Sequence, residues 1–271
     1  MIATSAQTSD DHTPEDKPFR SLYRRFFDKA ESKRRWDVTE DIPWDQVKFR
    51  AIDEDLVDIL EAFYATEMYL PDYTSQLLSL NRQNQGMAWF IANWGYEESK
   101  HSIGLEDWLL RSGRRTEKQM HQLNEQLLQG QWIKPFSTSR QMIIYAMFQE
   151  LATQLNYLNL SKATAPANDV ALQKLLRLIA SDEGVHHKMF VDCLKVHLEL
   201  DREGTVDDIA HVLSNFAMPA HDQIPGFDRL GKLIEARGIY SNKMFIRRVM
   251  FPALKRIGVD RKELPLRKHR S

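Results

Sequence analysis

The strongest constraint on this chain is where its helix-breaking residues are missing. The 11 glycines and 10 prolines among 271 residues gather at a few junctions and leave long uninterrupted stretches between them,. Within those stretches apolar residues recur at three- and four-residue intervals, as at Leu56, Ile59, Leu60 and Phe63, which is the period of an amphipathic helix. Period-two alternation does not occur, so the chain reads as all-α. The spacing predicts four long helices: 53–83, strained or kinked at Pro71; 86–112, stopped by Gly113; 137–162, ended by a loop containing Pro166; and 169–200,. A shorter helix over 117–128 joins the second to the third, and short helices broken at Pro219, Gly226 and Gly238 fill 205–258. No linker is rich enough to separate domains, so a single domain over 18–271 is expected,.

Composition bounds the function classes. With 37 Lys and Arg against 38 Asp and Glu, no global field recruits nucleic acid or an anionic membrane, and any basic binding face must be local,. Cys193 is the sole cysteine, which excludes a disulfide framework and a cysteine-based zinc site and favours a reducing compartment,. Apolar runs are interrupted by charge well short of the ~18 residues a membrane span requires. The N-terminus lacks the apolar segment of a secretory signal, and 1–17, with Asp10, Asp11, Glu15 and Asp16, is expected to be a disordered tail,. A cytoplasmic location is expected.

The chemistry emerges when Glu and His are set against the four long helices. Glu98-Ser-Lys-His101 and Glu183-Gly-Val-His186 are both Glu-x-x-His, and a three-residue step on a helix puts the two side chains on one face, one turn apart,. On the preceding long helix of each pair stands a further Glu: Glu67 is 31 residues before Glu98, and Glu150 is 33 before Glu183. Two such pairs alone are unremarkable, but with both upstream Glu residues required, coincidence falls to about 1 in 100. Solvated helix charges are a poor alternative, because Glu98 follows Trp89, Phe90, Ile91 and Trp94, and Glu150 lies among Ile143, Ile144, Met147, Phe148 and Leu151. Carboxylates in apolar surroundings need a partner or a metal. One Glu from each of two helices and Glu-x-x-His from each of the other two is the ligand template of ferritin-like carboxylate proteins. Four carboxylates and two imidazoles suit two transition-metal ions; iron is the first expectation, and manganese or a mixed pair satisfies the same ligand types.

Beyond this pattern the sequence resembles the soluble acyl-[acyl-carrier-protein] desaturases of the ferritin-like di-iron superfamily. The resemblance rests on Thr66-Glu67-Met-Tyr-Leu-Pro71-x-Tyr73, Trp94-Gly-Tyr-Glu97-Glu98-Ser-Lys-His101, Phe148-Gln149-Glu150-Leu-Ala-Thr153 and Asp182-Glu183-Gly-Val-His186. Outside the bundle, Met218-Pro219-Ala220-His221 and Gly238-Ile-Tyr240 are similar to the family's C-terminal signatures. The resemblance implies a ferritin-like four-helix bundle with additional helices, and metal ligands Glu67, Glu98, His101, Glu150, Glu183 and His186. It implies that Thr153 lies near the oxygen-binding side, that Asp182 supports a ligand histidine, and that Trp36 stands at the surface end of an electron route. The plainer readings are a Thr153 bonded back to a helix carbonyl and a Trp36 that only packs. His187 falls where the family usually has an acid and points about 100° away from His186. Implied too is aerobic dehydrogenation of a methylene pair in a carrier-bound fatty acyl chain, giving a cis alkene and two waters.

The same resemblance implies acyl carrier protein as partner, a ferredoxin-type electron donor and a homodimer; no Gly-x-Gly-x-x-Gly fingerprint for a bound flavin or nicotinamide is present,. Candidate basic docking clusters are 33–35, Arg111 with Arg114 and Arg115, and 255–270. Met87, Met147 and Phe148 are either tunnel wall or plain core. Competing expectations are another di-iron oxygenase acting as hydroxylase or N-oxygenase, and a non-catalytic iron-binding protein. A radical-bearing reductase subunit needs a tyrosine beside the metals, and neither Tyr145 nor Tyr157 comes with that family's surrounding pattern.

Overall fold

The computed structural model describes residues 16–219 and 223–265. Of the tail expected over 1–17, residues 1–15 lie outside the described residues, as do Ala220 and His221 of the Met-Pro signature. Asp16 and Lys17 are not tail, because they open helix α1 (Asp16–Lys29), which the sequence reading passed over. Phe19, Leu22 and Phe26 give α1 one apolar face. The described chain is helical, without a strand.

The first long helix is two helices, α2 (Glu54–Glu67) and α3 (Leu70–Leu80), broken at Met68 and Tyr69 rather than at Pro71. Pro71 has no N–H to give the Glu67 carbonyl four residues back, and its ring excludes that carbonyl. The helix therefore stops at Glu67 and restarts with Pro71 in its first turn, where a missing N–H is harmless,. Asp53 caps α2 by accepting from the Leu56 N–H, and Glu54 and Asp55 sit in its first turn, where the helix dipole favours them,.

Helices α4 (Gln85–Arg111), α5 (Glu117–Leu127), α6 (Ser139–Thr164) and α7 (Val170–Leu200) follow within two or three residues of their expected bounds. Asn84, Thr116, Thr138 and Asp169 cap them. Helices α8 (Arg202–Ser214) and α9 (Phe227–Ala236) and an irregular helix running from Asn242–Met244 through the π-turn Phe245–Met250 to Phe251–Ile257 complete the chain. The bundle is built from α2 with α3, α4, α6 and α7; α6 and α7 pack against each other along most of their lengths, and α1 lies across α4.

The buried apolar residues form two groups. One gathers around Phe90, Phe148 and Phe190, the other around Trp108, Leu172 and Leu176. On α4 the first group supplies Phe90 to Trp94 and the second Leu105 to Leu109; on α7 the order is reversed, with Leu172 to Ala180 in the second and Met189 to Leu194 in the first. Glu98 with His101, and Glu183 with His186, occupy the stretches between. The bundle thus has a polar waist between two dry halves.

Gly86 is where α1 meets α4. Asp16 accepts a hydrogen bond from the Gly86 N–H, one of the unpaired donors of the first turn of α4, and a Cβ at Gly86 would collide with the backbone of Phe19 and Arg20,. Alanine there gains about 1 kcal/mol of helix propensity but forces the helices apart, a strain of ~1–3 kcal/mol. Gly86→Ala is therefore expected to lower the thermal midpoint. Gly231→Ala, in α9 with its nearest neighbour 3.9 Å away, is expected to raise it; equal midpoints in both variants would contradict the close crossing.

Candidate metal centre

Each of the six expected ligands reaches the waist from a different turn of the bundle: Glu67 from the end of α2, Glu98 and His101 from α4, Glu150 from α6, Glu183 and His186 from α7. All six are buried. Their ligand atoms form two overlapping groups, Glu67, Glu98, His101 and Glu183 in one and Glu98, Glu150, Glu183 and His186 in the other, with the atoms of each group within 4.8 Å of one another. Glu98 and Glu183 belong to both.

The electrostatics of such a cluster are severe. Burial and the neighbouring Glu98 push the Glu67 carboxyl up to about 8, and burial with Glu98 and Glu150 pushes Glu183 well above the ordinary carboxylate range,. Burial works against charge on Glu98 as well, yet His101 and His186 hold it down to about 2. Both imidazoles bind their proton more tightly than usual despite burial, because Glu98 and other acids surround them.

Hydrogen bonding tests whether metal ions fit here. Among the described residues, Glu98 Oε1, Glu150 Oε2, both Glu183 oxygens, both His101 nitrogens and His186 Nδ1 are buried without a hydrogen-bond partner. His186 Nδ1 stands 2.8 Å from Glu98 Oε1, outside hydrogen-bond geometry, as lone pairs converging on a common point do. Each unpaired buried polar atom costs about 1–3 kcal/mol, and native proteins tolerate few. Two divalent cations would satisfy these atoms, His101 Nε2 excepted, which turns outward to Asp182, and would balance four carboxylate charges. The donor set therefore fits the pair of ions, and the field that retains protons on Glu67 and Glu183 is one that attracts cations in their place.

A second layer fixes the first. Tyr157 Oη donates to Glu67 Oε1 at 2.6 Å, and Trp94 Nε1 donates to Glu150 Oε1 at 3.1 Å, leaving the other Glu150 oxygen facing inward. His186 Nε2 is 2.8 Å from Glu97 Oε2, so the N–H there points outward and Nδ1 faces the centre,. Asp182 stands behind His101 in the corresponding place, 3.5 Å from Nε2, and accepts from Trp36 Nε1 at 2.7 Å. Arg34 ties the two supporting acids together, with both its terminal nitrogens on Glu97 at 2.8 and 2.9 Å and one also 3.2 Å from Asp182.

Other expectations resolve differently. Trp36 is buried, 6% exposed, with the Lys100 ammonium 4.5 Å from its ring, so it is not at the surface. Arg34 faces inward, and Arg35 is held by Glu31 and Asn93, which removes 33–35 as a free docking cluster. Arg114 and Arg115 are engaged by Glu54, Asp58 and Glu61. Thr153 does bond back to the Gln149 carbonyl at 3.0 Å, and it also lines the cavity beside the centre. Met87, Met147 and Phe148 are fully buried core. His187 accepts no ligand role; its Nδ1 meets the Met147 carbonyl at 2.8 Å. Glu97, Arg34 and Tyr157 were missed as parts of the centre. Glu97 had a signal, since it precedes Glu98 as Asp182 precedes Glu183.

A cavity of about 320 Å³ opens beside the cluster and reaches Glu67 and Glu98. Its walls include Phe63, Ile224, Phe227 and Ile234 on the apolar side and the signature residues Met218, Pro219 and Tyr240.

A helical bundle with this carboxylate and histidine cluster at its waist is the ferritin-like fold. Solved structures agree at the level of fold: DesA2 of Mycobacterium tuberculosis, a protein assigned to the acyl-ACP desaturases without an established activity, superposes with a TM-score of 0.62 at 17% identity, covering 92% of this chain and 100% of that one. A variant R2-like ligand-binding oxidase with a reconstituted Mn/Fe cofactor superposes with a TM-score of 0.60 at 15% identity, over 96% of this chain and 100% of that one. The profile of the fatty acid desaturase family matches residues 29–264, and the chain belongs to that family. Among curated relatives, a protein described as acyl-[acyl-carrier-protein] desaturase DesA1 of Mycobacterium tuberculosis is 27% identical over 212 residues, 73% of this chain and 60% of the relative. This chain spans about 60% of the length of the curated relatives it matches first.

Arg34 offers the sharpest test of the second layer. Removing it takes a charge-assisted partner from two buried acids that keep His186 and Arg35 at Glu97 and Trp36 and Lys100 at Asp182, a loss of ~1.5–3 kcal/mol. Arg34→Ala is expected to lose that much stability in urea unfolding, with Arg34→Lys recovering part of it. A loss below about 1 kcal/mol would mean that the network is a solvated surface pair.

Proposed function

We propose that this protein is an O₂-dependent desaturase of fatty acyl chains carried on acyl carrier protein, with two iron ions held by Glu67, Glu98, His101, Glu150, Glu183 and His186. The observation that carries the reading is the cavity: a partly open, largely apolar space that reaches two carboxylates of the cluster,. Bound iron supplies the redox chemistry by which O₂, two electrons and two protons convert a methylene pair to an alkene and two waters.

The protein's own residues set the conditions. Phe63, Phe227 and Ile234 exclude water and hold the chain against the centre,. Tyr157 and Trp94 fix two carboxylates, while Glu97 and Asp182 orient the two imidazoles,. Thr153 presents its hydroxyl at the cavity wall. Trp36, Asp182 and His101 form a continuous contact from the N-terminal segment to the cluster, which supports entry of electrons from an external, ferredoxin-type donor. No helix among the described residues is long and apolar enough to cross a membrane, which is compatible with a cytoplasmic enzyme. Trp89, Tyr96 and Ile103 are about half exposed at seven-residue intervals along α4, and this apolar stripe supports a homodimer,.

The carrier's docking face is read from a basic group outside the expected clusters; residues 266–270 of the 255–270 cluster lie outside the described residues. Lys243, Arg247 and Arg248 are exposed and form no ion pair among the described residues, and Lys243 directly follows Ser241 and Asn242 of the cavity wall. An acidic carrier would be steered to this face. Converting all three to Glu is expected to weaken binding of acyl carrier protein by more than about tenfold and to flatten its salt dependence; unchanged affinity would move the docking face elsewhere.

The activity itself is tested by reducing the iron-loaded protein without oxygen and adding O₂ with stearoyl- or palmitoyl-acyl carrier protein. Loss of two hydrogens from the acyl chain, seen by mass spectrometry, is the expected product. A second reading, a ferritin-like oxidase using Tyr157 as a redox group, is favoured by the 2.6 Å contact of that phenol with Glu67. It predicts an untouched acyl chain and an organic radical signal that Tyr157→Phe removes.

A further inference from the structure

One side of the cavity is polar in a way that a plain hydrocarbon chain does not require. Gln149, Thr153 and Asn156 follow one another on α6 at intervals of four and three residues, so they share a face, and all three line the cavity,. Two of them are satisfied within the protein. Thr153 donates to the Gln149 carbonyl at 3.0 Å, and Gln149 Nε2 donates to Thr153 Oγ1 at 3.4 Å. Asn156 differs: it is 6% exposed, and its carboxamide oxygen has no hydrogen-bond partner among the described residues. One turn further along, Asn159 spends its amide on the Ile239 carbonyl at 2.9 Å, so an unpaired amide is not the rule on this helix.

Pressing methylenes against Asn156 would leave a buried amide oxygen unpaired, which binding disfavours. An occupant that brings its own polar group relieves this. We propose that Asn156 is a specificity-determining residue that hydrogen-bonds a polar group of the carrier-bound chain inside the cavity. A hydroxyl fits best, because it donates and accepts and so matches either orientation of the carboxamide. Two parts of such a substrate offer this chemistry: a hydroxyl on the acyl portion, and the amide of the arm that tethers the chain to its carrier. Asn156 is six residues beyond Glu150, or ~9 Å along the helix axis, and supplies none of the six ligands, so its contact serves recognition. This inference rests on the acyl-carrier reading of the cavity.

The test measures binding to the full chain by fluorescence anisotropy of labelled acyl carrier protein, with no turnover required. Palmitoyl-carrier is compared with carriers of palmitoyl chains hydroxylated at successive carbons, on wild type, Asn156→Leu and Asn156→Ala. If the partner is an acyl hydroxyl, one hydroxylated chain binds wild type about tenfold tighter than palmitoyl, and both variants lose that advantage. If it is the arm amide, wild type shows no preference and both variants weaken every member alike. Variants that bind every chain as wild type does would overturn the proposal and leave Asn156 with an ordered water as its partner. Failure of wild type to bind any member would instead overturn the acyl-carrier reading itself. Circular dichroism and thermal midpoints of the two variants establish that each is folded.

Discussion

Four carboxylates and two imidazoles enclosed between two apolar halves form the interaction on which the rest of the structure depends. Protons can balance the charge of this group, since Glu67 and Glu183 are driven toward their neutral forms and both histidines toward their charged ones, but they leave Glu150 Oε2, both Glu183 oxygens and His186 Nδ1 without hydrogen-bond partners among the described residues. A fold that assembles this cluster must surround it with rigid support. The caps at Asp53, Asn84, Thr138 and Asp169 and the long contact of α6 with α7 supply that rigidity at the level of helices. At the level of side chains, Glu67, Glu150, His101 and His186 are each backed by an outer group, Tyr157, Trp94, Asp182 and Glu97 respectively.

The backing has an internal symmetry. Glu97 stands behind His186 as Asp182 stands behind His101, and Arg34 joins the two from outside. The N-terminal segment is thereby part of the centre, although it contributes no ligand. On the other side, the break after Glu67 that Pro71 imposes places the first carboxylate at a helix end, where Tyr157 holds it and the cavity reaches it. Local backbone chemistry and long-range pairing together decide which oxygen atoms face inward.

Much of this was legible in the sequence, because it depends on spacings that helix geometry fixes. Glu-x-x-His on α4 and α7 must share a face wherever those helices lie, and the matching Glu67 and Glu150 mark the other two helices,. The arrangement around them was less legible. Arg34 meets partners 63 and 148 residues away, and no local pattern distinguishes it from the solvated charges beside it. Met147 and Phe148 neighbour Glu150 in sequence but face the core, while Gln149 and Thr153 face the cavity; the rotation of α6 within the bundle decides this. Trp36 was tied to the centre by resemblance, and its burial against Asp182 and Lys100 came only from the folded chain.

The central claim, that the waist of the bundle holds two metal ions, is tested most directly by crystallising the iron-loaded protein and collecting diffraction data at the iron absorption edge. The account predicts two anomalous peaks per chain, enclosed by Glu67, Glu98, His101, Glu150, Glu183 and His186, with Glu98 and Glu183 in contact with both. A single peak, no peak, or iron bound elsewhere on the chain would contradict it.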